Sequence, residues 1–333
     1  MTKLRKSELF EIILDSLRKS GWFCLQLSNH SEHPLRVRVF RQTEAHTVRI
    51  YIWNMTHGGG AARPPDEYRI QITGIDHFEP EIQGKTLILG WWDEAEVFAG
   101  FDFRKHSGRL GYSPSIQIRE RYLREAYLQG FAPCYKENQE VAIAFRPDFL
   151  VEYIRSLESL HDFGKQKTDF DVLASVASDP EGINDTDIKK VTDKRQSVAV
   201  SVRRILRDIS FRDRVLTSYL FRCSVCGIQL ELVQAAHLVP VSAPGSTDET
   251  SNGISLCAIH HLAYDKALIS IGDDYRIILS SSSLRNLKDA KRDDGIKDFK
   301  LGLRSMILLP PAIADRPNVN YLRRGREIRN WID

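Results

Sequence analysis

Cys223-Ser224-Val225-Cys226, Ala235-Ala236-His237, Asn252-Gly253, Cys257-Ala258-Ile259-His260-His261 and Tyr264-Asp265 follow one another in a single stretch, and its reading decides the rest of the chain. Cys223/Cys226 and Cys257/His260 are two pairs of ligand-type residues, and they bracket a histidine and an asparagine. A spacing of three lets both members of a pair reach one ion from a tight knuckle. Four sulfur and nitrogen donors in two such pairs suit tetrahedral zinc in a closed, structural site. Buried thiols beside an unrelated histidine are the alternative. Such a clamp would hold both ends of a motif with little core of its own. His260 and His261 are adjacent on a helix starting near Ala258, where consecutive residues point about 100° apart. His260 can therefore face the zinc while His261 faces a cleft.

On the N-terminal side, Val202, Ile205, Leu206 and Ile209 share one helical face. Ser210-Phe211-Arg212-Asp213 then reads as a capping box opening a second helix, with Val215, Leu216 and Tyr219 as its buried stripe. That helix delivers the chain to Cys223. Leu230–Gln234 reads as a strand leading to His237. On the C-terminal side, Ala267–Ile271 and Tyr275–Leu279 read as a hairpin across Gly272-Asp273-Asp274. The tail alternates basic residues with Leu301, Leu303, Ile307, Leu308 and Leu309. It reads equally well as a DNA-backbone surface and as a packing extension.

This order of motifs resembles the HNH nuclease family, with its ββα-metal fold, in its restriction-endonuclease-like branch. The resemblance rests on the Arg/Phe-rich segment Ser210 to Arg222 before the first cysteine, Ala236-His237-Leu238, Asn252-Gly253 before the third ligand, and His261-Leu262-Ala263-Tyr264-Asp265 at the end. It covers about residues 198–280. It implies a DNA endonuclease in which His237 is the general base that activates water against the scissile phosphate. Asn252 would hold the loop or the metal. His261 would ligate a single catalytic divalent ion, Mg²⁺ or another, that stabilises the developing charge. One position departs from the family: many members carry a metal-binding Asp or His before the base, and here it is Ala236. Asp265 and Asp248 are the substitutes the sequence offers. Such enzymes often cut both strands as dimers, so a homodimer is an expectation of the resemblance.

The remaining bounds agree with this reading. A chain of 333 residues suits roughly two domains. No apolar run reaches the ~18 residues of a membrane span. Glu8, Glu11 and Asp15 interrupt the apolar residues after the basic N-terminus, which reads as an amphipathic helix and not a secretion signal, so the expected compartment is the cytoplasm. Five cysteines, an odd number, argue for metal binding over a disulfide framework, leaving Cys24 and Cys134 as small buried hydrophobes. The net charge of +3 is uneven: six arginines against two aspartates between Val198 and Arg222, and twelve Lys/Arg against seven Asp/Glu from Ser281 on. A polyanion such as double-stranded DNA fits these flanks, with Arg212 and Arg222 as candidate contacts. A solvated helix face is the plainer alternative.

The expected fold class is α+β: an N-terminal mixed α/β recognition module over 1–160, a polar linker over 161–197, and, as the resemblance implies, a C-terminal ββα-metal HNH nuclease domain over 198–333 with a zinc site and a basic extension. In the module, residues 8–20 read as a helix. Leu35–Phe40 and Thr47–Trp53 alternate as strands of a half-buried antiparallel sheet, exposing Arg36, Arg38 and Arg49. Further strands fall at Tyr68–Ile72, Thr86–Trp91, Ala95–Phe101 and Val141–Phe145, and helices near Arg119–Leu128 and Pro147–Leu160. The loop with Gly58-Gly59-Gly60 suits entry into a groove. Trp91-Trp92 and the Asp102/Arg104/His106 segment are either DNA-reading surface or, for the tryptophans, core. Because an HNH site contacts mainly backbone, the module would supply specificity by reading a sequence or a flipped, modified base. The protein would then be a restriction enzyme. The alternatives are a DNA-binding or regulatory protein with a degenerate zinc-stapled fold, and a ligand-gated defence nuclease.

Overall fold

The computed structural model describes residues 3–29, 32–58 and 64–331, so Gly59 and Gly60 lie outside the described residues. The chain divides into two compact units, Met1–Leu206 and Arg207–Asp333. The first unit contains α1 (Lys6–Lys19), β1 (Phe23–Gln26), β2 (Leu35–Arg41), β3 (Glu44–His57), β4 (Glu67–Gln71), β5 (Lys85–Trp92), β6 (Val97–Phe101), β7 (Ser115–Arg119), α2 (Glu120–Gln129), β8 (Phe131–Tyr135), β9 (Val141–Phe145), α3 (Leu150–Asp162), α4 (Lys167–Ser178) and α5 (Asp185–Ile188). The division falls within α6 (Asp193–Ser218). Alternation decides the long strands. Val37, Val39, Val48 and Ile50 turn inward, and Arg36, Arg38 and Arg49 turn to the other face.

Nine strands form one sheet in the order β1-β2-β3-β5-β6-β9-β8, with β4 added to the far end of β3 and β7 to β4. The sheet is not purely antiparallel as the alternation suggested, because β3 and β5 run parallel. The connection between them carries β4 out and back, so β5 re-enters beside β3 in the same direction. The polar stretch 161–197 is not a linker. Phe170, Leu173, Val176 and Ile188 are buried, and the Phe170 ring lies 5.1 Å from that of Tyr135 on β8, so these residues pack as part of the first unit. Nor does a helix begin at Ser210: α6 runs unbroken through it, and the Ser210 hydroxyl accepts from Arg214 one turn on.

Polar groups inside this unit are matched internally. Arg36 and Arg49 lie opposite each other on β2 and β3, and both reach the buried Glu81, with Arg36 Nη2 2.6 Å and Arg49 Nε 3.2 Å from its oxygens. Arg49 also pairs with Glu79 at 2.6 Å. Arg104 grips the buried Asp102 with two nitrogens and reaches Asp162 at 2.7 Å. Trp91 and Trp92 are core residues. Cys134 is buried, whereas Cys24, on the edge strand β1, is half-exposed.

Glu140 is buried with His106 Nε2 at 2.8 Å and Lys136 Nζ at 3.0 Å. Burial raises its pKa, but the His106 hydrogen bond and the Lys136 charge overcome this and hold it at about 2. A folded pKa below the unfolded value gives stability present above about pH 4.3 and lost as pH falls toward the folded value. Glu140→Gln is therefore expected to destabilise the protein by about 2 kcal/mol at pH 7. In thermal melts, its gap to wild type should narrow between pH 5 and pH 3.

The second unit contains β10 (Val233–His237), β11 (Gly253–Cys257), α7 (Ala258–Asp265), β12 (Ile269–Ile271), β13 (Ile277–Leu279), α8 (Ser281–Asp289), α9 (Ile296–Leu301) and α10 (Val319–Ile328). β10 and β11 pair antiparallel, His237 opposite Gly253 and Val233 opposite Cys257, and α7 follows directly, giving a ββα unit. The tail packs on it. Leu322 of α10 is buried, and Gly325 sits so close to β10 that a Cβ there would meet the Leu238 carbonyl oxygen at 2.5 Å. Among the described residues, no helix is long and apolar enough to cross a membrane.

Candidate active site

The knuckle at Cys223 closes through two backbone bonds, Cys223 N–H to the Ile228 carbonyl and Gly227 N–H to the Cys223 carbonyl, each 2.8 Å, with Gly227 at φ +84°. Ser224 N–H donates to Ser255 O on β11 at 2.8 Å, tying the knuckle to the strand that ends in Cys257. His260, one turn into α7, completes the set. The donor atoms of Cys223, Cys226, Cys257 and His260 all lie within 4.8 Å of one another, and three of the four residues are buried. Two thiolates on one zinc, each about 2.3 Å from it, sit roughly 3.8 Å apart, so the four residues fit a tetrahedral ion. His260 Nδ1 is 3.2 Å from Cys257 Sγ and 3.5 Å from Cys223 Sγ. Burial pushes the Cys223 thiol up, but the His260 hydrogen bond and nearby backbone N–H groups bring it down to about 6. Such a thiol is ready to act as a thiolate ligand.

His237 ends β10 and is half-buried. Its ring stacks on Phe211 at 3.7 Å between centroids and 10° between planes. Its Nε2 lies 3.2 Å from Asp248 Oδ1. Burial lowers its pKa, and the Asp248 hydrogen bond and charge only partly oppose this. A lowered pKa favours the neutral imidazole, the form that accepts a proton. Asp248 is held by Arg207 Nη2 at 2.5 Å through its other oxygen, and by Arg214 Nη2 at 2.6 Å through its carbonyl.

Asn252, expected to hold the loop or the metal, makes its contacts to the loop. It is fully buried: its Oδ1 accepts from Val239 N–H at 3.0 Å and its Nδ2 donates to the Thr247 carbonyl at 2.7 Å. With both ends of the amide used, its work is to staple the loop between β10 and β11. Asp248 is likewise engaged through both oxygens, by His237 and by Arg207.

His261 leaves the zinc side of α7. Its Nδ1 is 2.9 Å from Gln234 Oε1 on β10, and its Nε2 is 3.5 Å from Asp265 Oδ2. Alternation places Gln234 and Ala236 on one face of β10 and His237 on the other, and Ala236 is buried. Arg329 joins the two elements. Its Nη1 donates to Leu238 O at 2.6 Å, its Nη2 lies 3.3 Å from His237 O and 3.1 Å from Asp265 Oδ1, and its guanidinium covers the Tyr264 ring at 4.2 Å. One nitrogen thus spans the strand end that carries His237 and the helix end that carries Asp265.

Residues 223–272 match the family model described as HNH endonuclease. The C-terminal unit contains an HNH endonuclease domain. The match begins at the first zinc-type cysteine and ends just past β12, so it encloses the ββα unit whole. The match is to a family of endonucleases, and the cysteine and histidine cluster within it is arranged as one that could hold a metal ion. Residues 46–154, from β3 into α3, match a second model, Methylase-associated X1. No curated protein matches the chain. A solved structure titled "Modification dependent TagI restriction endonuclease" is 14% identical, with 83% of this chain and 80% of that one covered, at a TM-score of 0.30, too low to speak for a shared arrangement.

The structure brings together the four zinc-type ligands of the HNH domain, and sets His261 beside Asp265. The basic candidates are scattered. Arg36, Arg49 and Arg104 are held in the ion pairs described above, and Arg212 Nη2 lies 3.1 Å from Asp213 Oδ1. Arg38 and Arg222 are exposed. Sequence reasoning missed Phe211, Arg207 and Arg329 as neighbours of His237, and cast Asp248 only as a metal ligand. An arginine ninety-two positions beyond the base carries no local signal that links it to His237.

Proposed function

We propose that the protein is a metal-dependent DNA endonuclease of the restriction type, with His237 as general base and the N-terminal module reading a sequence or a modified base. The observation that carries this is the geometry of His237: an imidazole stacked on Phe211 at the end of β10, in a ββα unit with four zinc-type ligands at its ends. Cys223, Cys226, Cys257 and His260 hold a structural zinc. His237 takes a proton from the attacking water. Arg329 keeps the strand end in place beside α7. His261 and Asp265 are the residues that would hold a divalent ion, Mg²⁺ or a similar one, whose charge favours the developing negative charge on phosphate. In the first unit, Arg38 is the one proposed DNA contact among its arginines that is not already held in an ion pair among the described residues.

A second reading, a zinc-stapled HNH fold that binds DNA without cutting, draws on Ala236 and on the metal-type clusters. Among the described residues, groups of three or more such ligands reduce to the zinc set. Digestion of unmodified, methylated and hydroxymethylated DNA with Mg²⁺, Mn²⁺ or Ni²⁺, followed by sequencing of the ends, separates the two. Discrete ends are expected, with modified DNA the sole substrate if the module reads a modified base. Intact DNA under every condition would leave the binding reading standing.

A further inference from the structure

We infer that Asp248 and Arg207 form a positioning pair for His237, fixing which ring nitrogen takes the proton. This rests on the reading of His237 as the base and deepens it. Three contacts determine the imidazole. The Phe211 stack, at 3.7 Å and 10°, sets the ring plane. The 3.2 Å contact from Nε2 to Asp248 Oδ1 sets rotation within that plane. Arg207 at 2.5 Å and Arg214 at 2.6 Å prevent Asp248 from turning away. Asp248 is mostly buried, with its side chain 13% exposed, so its oxygens have these partners in place of bulk water.

An ionised carboxylate only accepts hydrogen bonds, so the nitrogen facing it must carry the proton. Nε2 is therefore N–H, and the lone pair lies on Nδ1. In the reaction, the oxygen of water forms the bond to phosphorus as one of its protons moves to Nδ1. The bond from phosphorus to the leaving sugar oxygen breaks, and that oxygen takes its proton from solvent. The imidazolium so formed keeps its Nε2 proton against Asp248, whose charge favours it. The charged groups around His237 are Asp248 and, more distantly, Asp208 on the acidic side. On the basic side are Arg207 and Arg214, which hold Asp248, and Arg329, which reaches the His237 carbonyl. This arrangement accounts for Asp248 without metal: a carboxylate shared between the base and an arginine.

The test is single-turnover cleavage at saturating DNA and metal across pH 5–9, with DNA affinity and zinc content measured on the same full-length proteins. Asp248→Asn is expected to lower the cleavage rate about 100-fold with DNA affinity within about twofold, because the wrong tautomer is admitted. Loss of the negative charge should also move the acid limb of its pH–rate profile to lower pH. Asp248→Glu should recover part of the rate. Arg207→Gln, which keeps Asp248, should move the acid limb the opposite way, and it keeps the idea testable if Asp248→Asn does not fold. Unmoved acid limbs in the variants that fold, or a wild-type rate in Asp248→Asn, would overturn the positioning role. An active His237→Ala would instead overturn the reading beneath it.

Discussion

Alanine at position 237 is expected to cut the rate of DNA cleavage by about 1000-fold while leaving DNA affinity within about twofold. His237 is the side chain at the end of β10 that we propose takes the proton. Ala236 before it is buried and carries no ionisable group, and Asn252 across the loop is committed to Val239 and Thr247. The fold should survive, because the strand end is held from its backbone by Arg329 and by the pairing of β10 with β11, not by the imidazole. Gel-shift affinity and thermal melting on the same protein would show binding and stability retained with the chemistry gone.

The second large effect concerns the metal clamp. The ββα unit is small, and the four ligands and the Ser224–Ser255 bond join the knuckle at Cys223 to β11 and the start of α7. In such sites the binding free energy of zinc is in large part folding free energy, on the order of 10 kcal/mol. The purified protein should therefore contain one zinc per chain. Cys257→Ala is expected to lose it, and with it the hydrogen-exchange protection of residues 233–265. Protection in the nine-stranded sheet of the first unit, which has its own core, should be retained. Zinc retained at one per chain in Cys257→Ala would show that the cluster is not its site.

What could be read in advance depended on distance along the chain. The ββα unit and the clustering of the four Cys and His residues were legible because they lie in one continuous stretch, with ligand spacing that few other structures need. The alternating strands β2 and β3 were legible for the same local reason. Their parallel partner β5 was not, since register and direction are decided by a crossover that leaves no mark in β5 itself. β8, with Pro133 in its middle, gives a poor strand signal, yet as an edge strand it tolerates the proline. The stretch 161–197 looked like a linker because its apolar residues are sparse, but Phe170, Leu173 and Val176 fall on one helical face and suffice to dock it. In the site, the sequence left Asn252 to hold either the loop or the metal, and only the folded chain shows its amide against Val239 and Thr247. Asp248 sits in an aperiodic loop, and only folding shows it against His237. The arginines of β2 and β3 were correctly set on one face, but the glutamate that binds two of them lies more than thirty residues away.

The central claim is that a metal-dependent phosphodiesterase site centred on His237 operates in the C-terminal unit. Its most direct test is the conversion of supercoiled DNA carrying and lacking cytosine modification to nicked and linear forms, by wild type and by His237→Ala at equal DNA occupancy, with and without Mg²⁺ or Mn²⁺. The account predicts metal-dependent conversion by wild type and about 1000-fold slower conversion by the variant. Equal rates for the two proteins, or wild-type cleavage that persists undiminished in excess chelator, would contradict it.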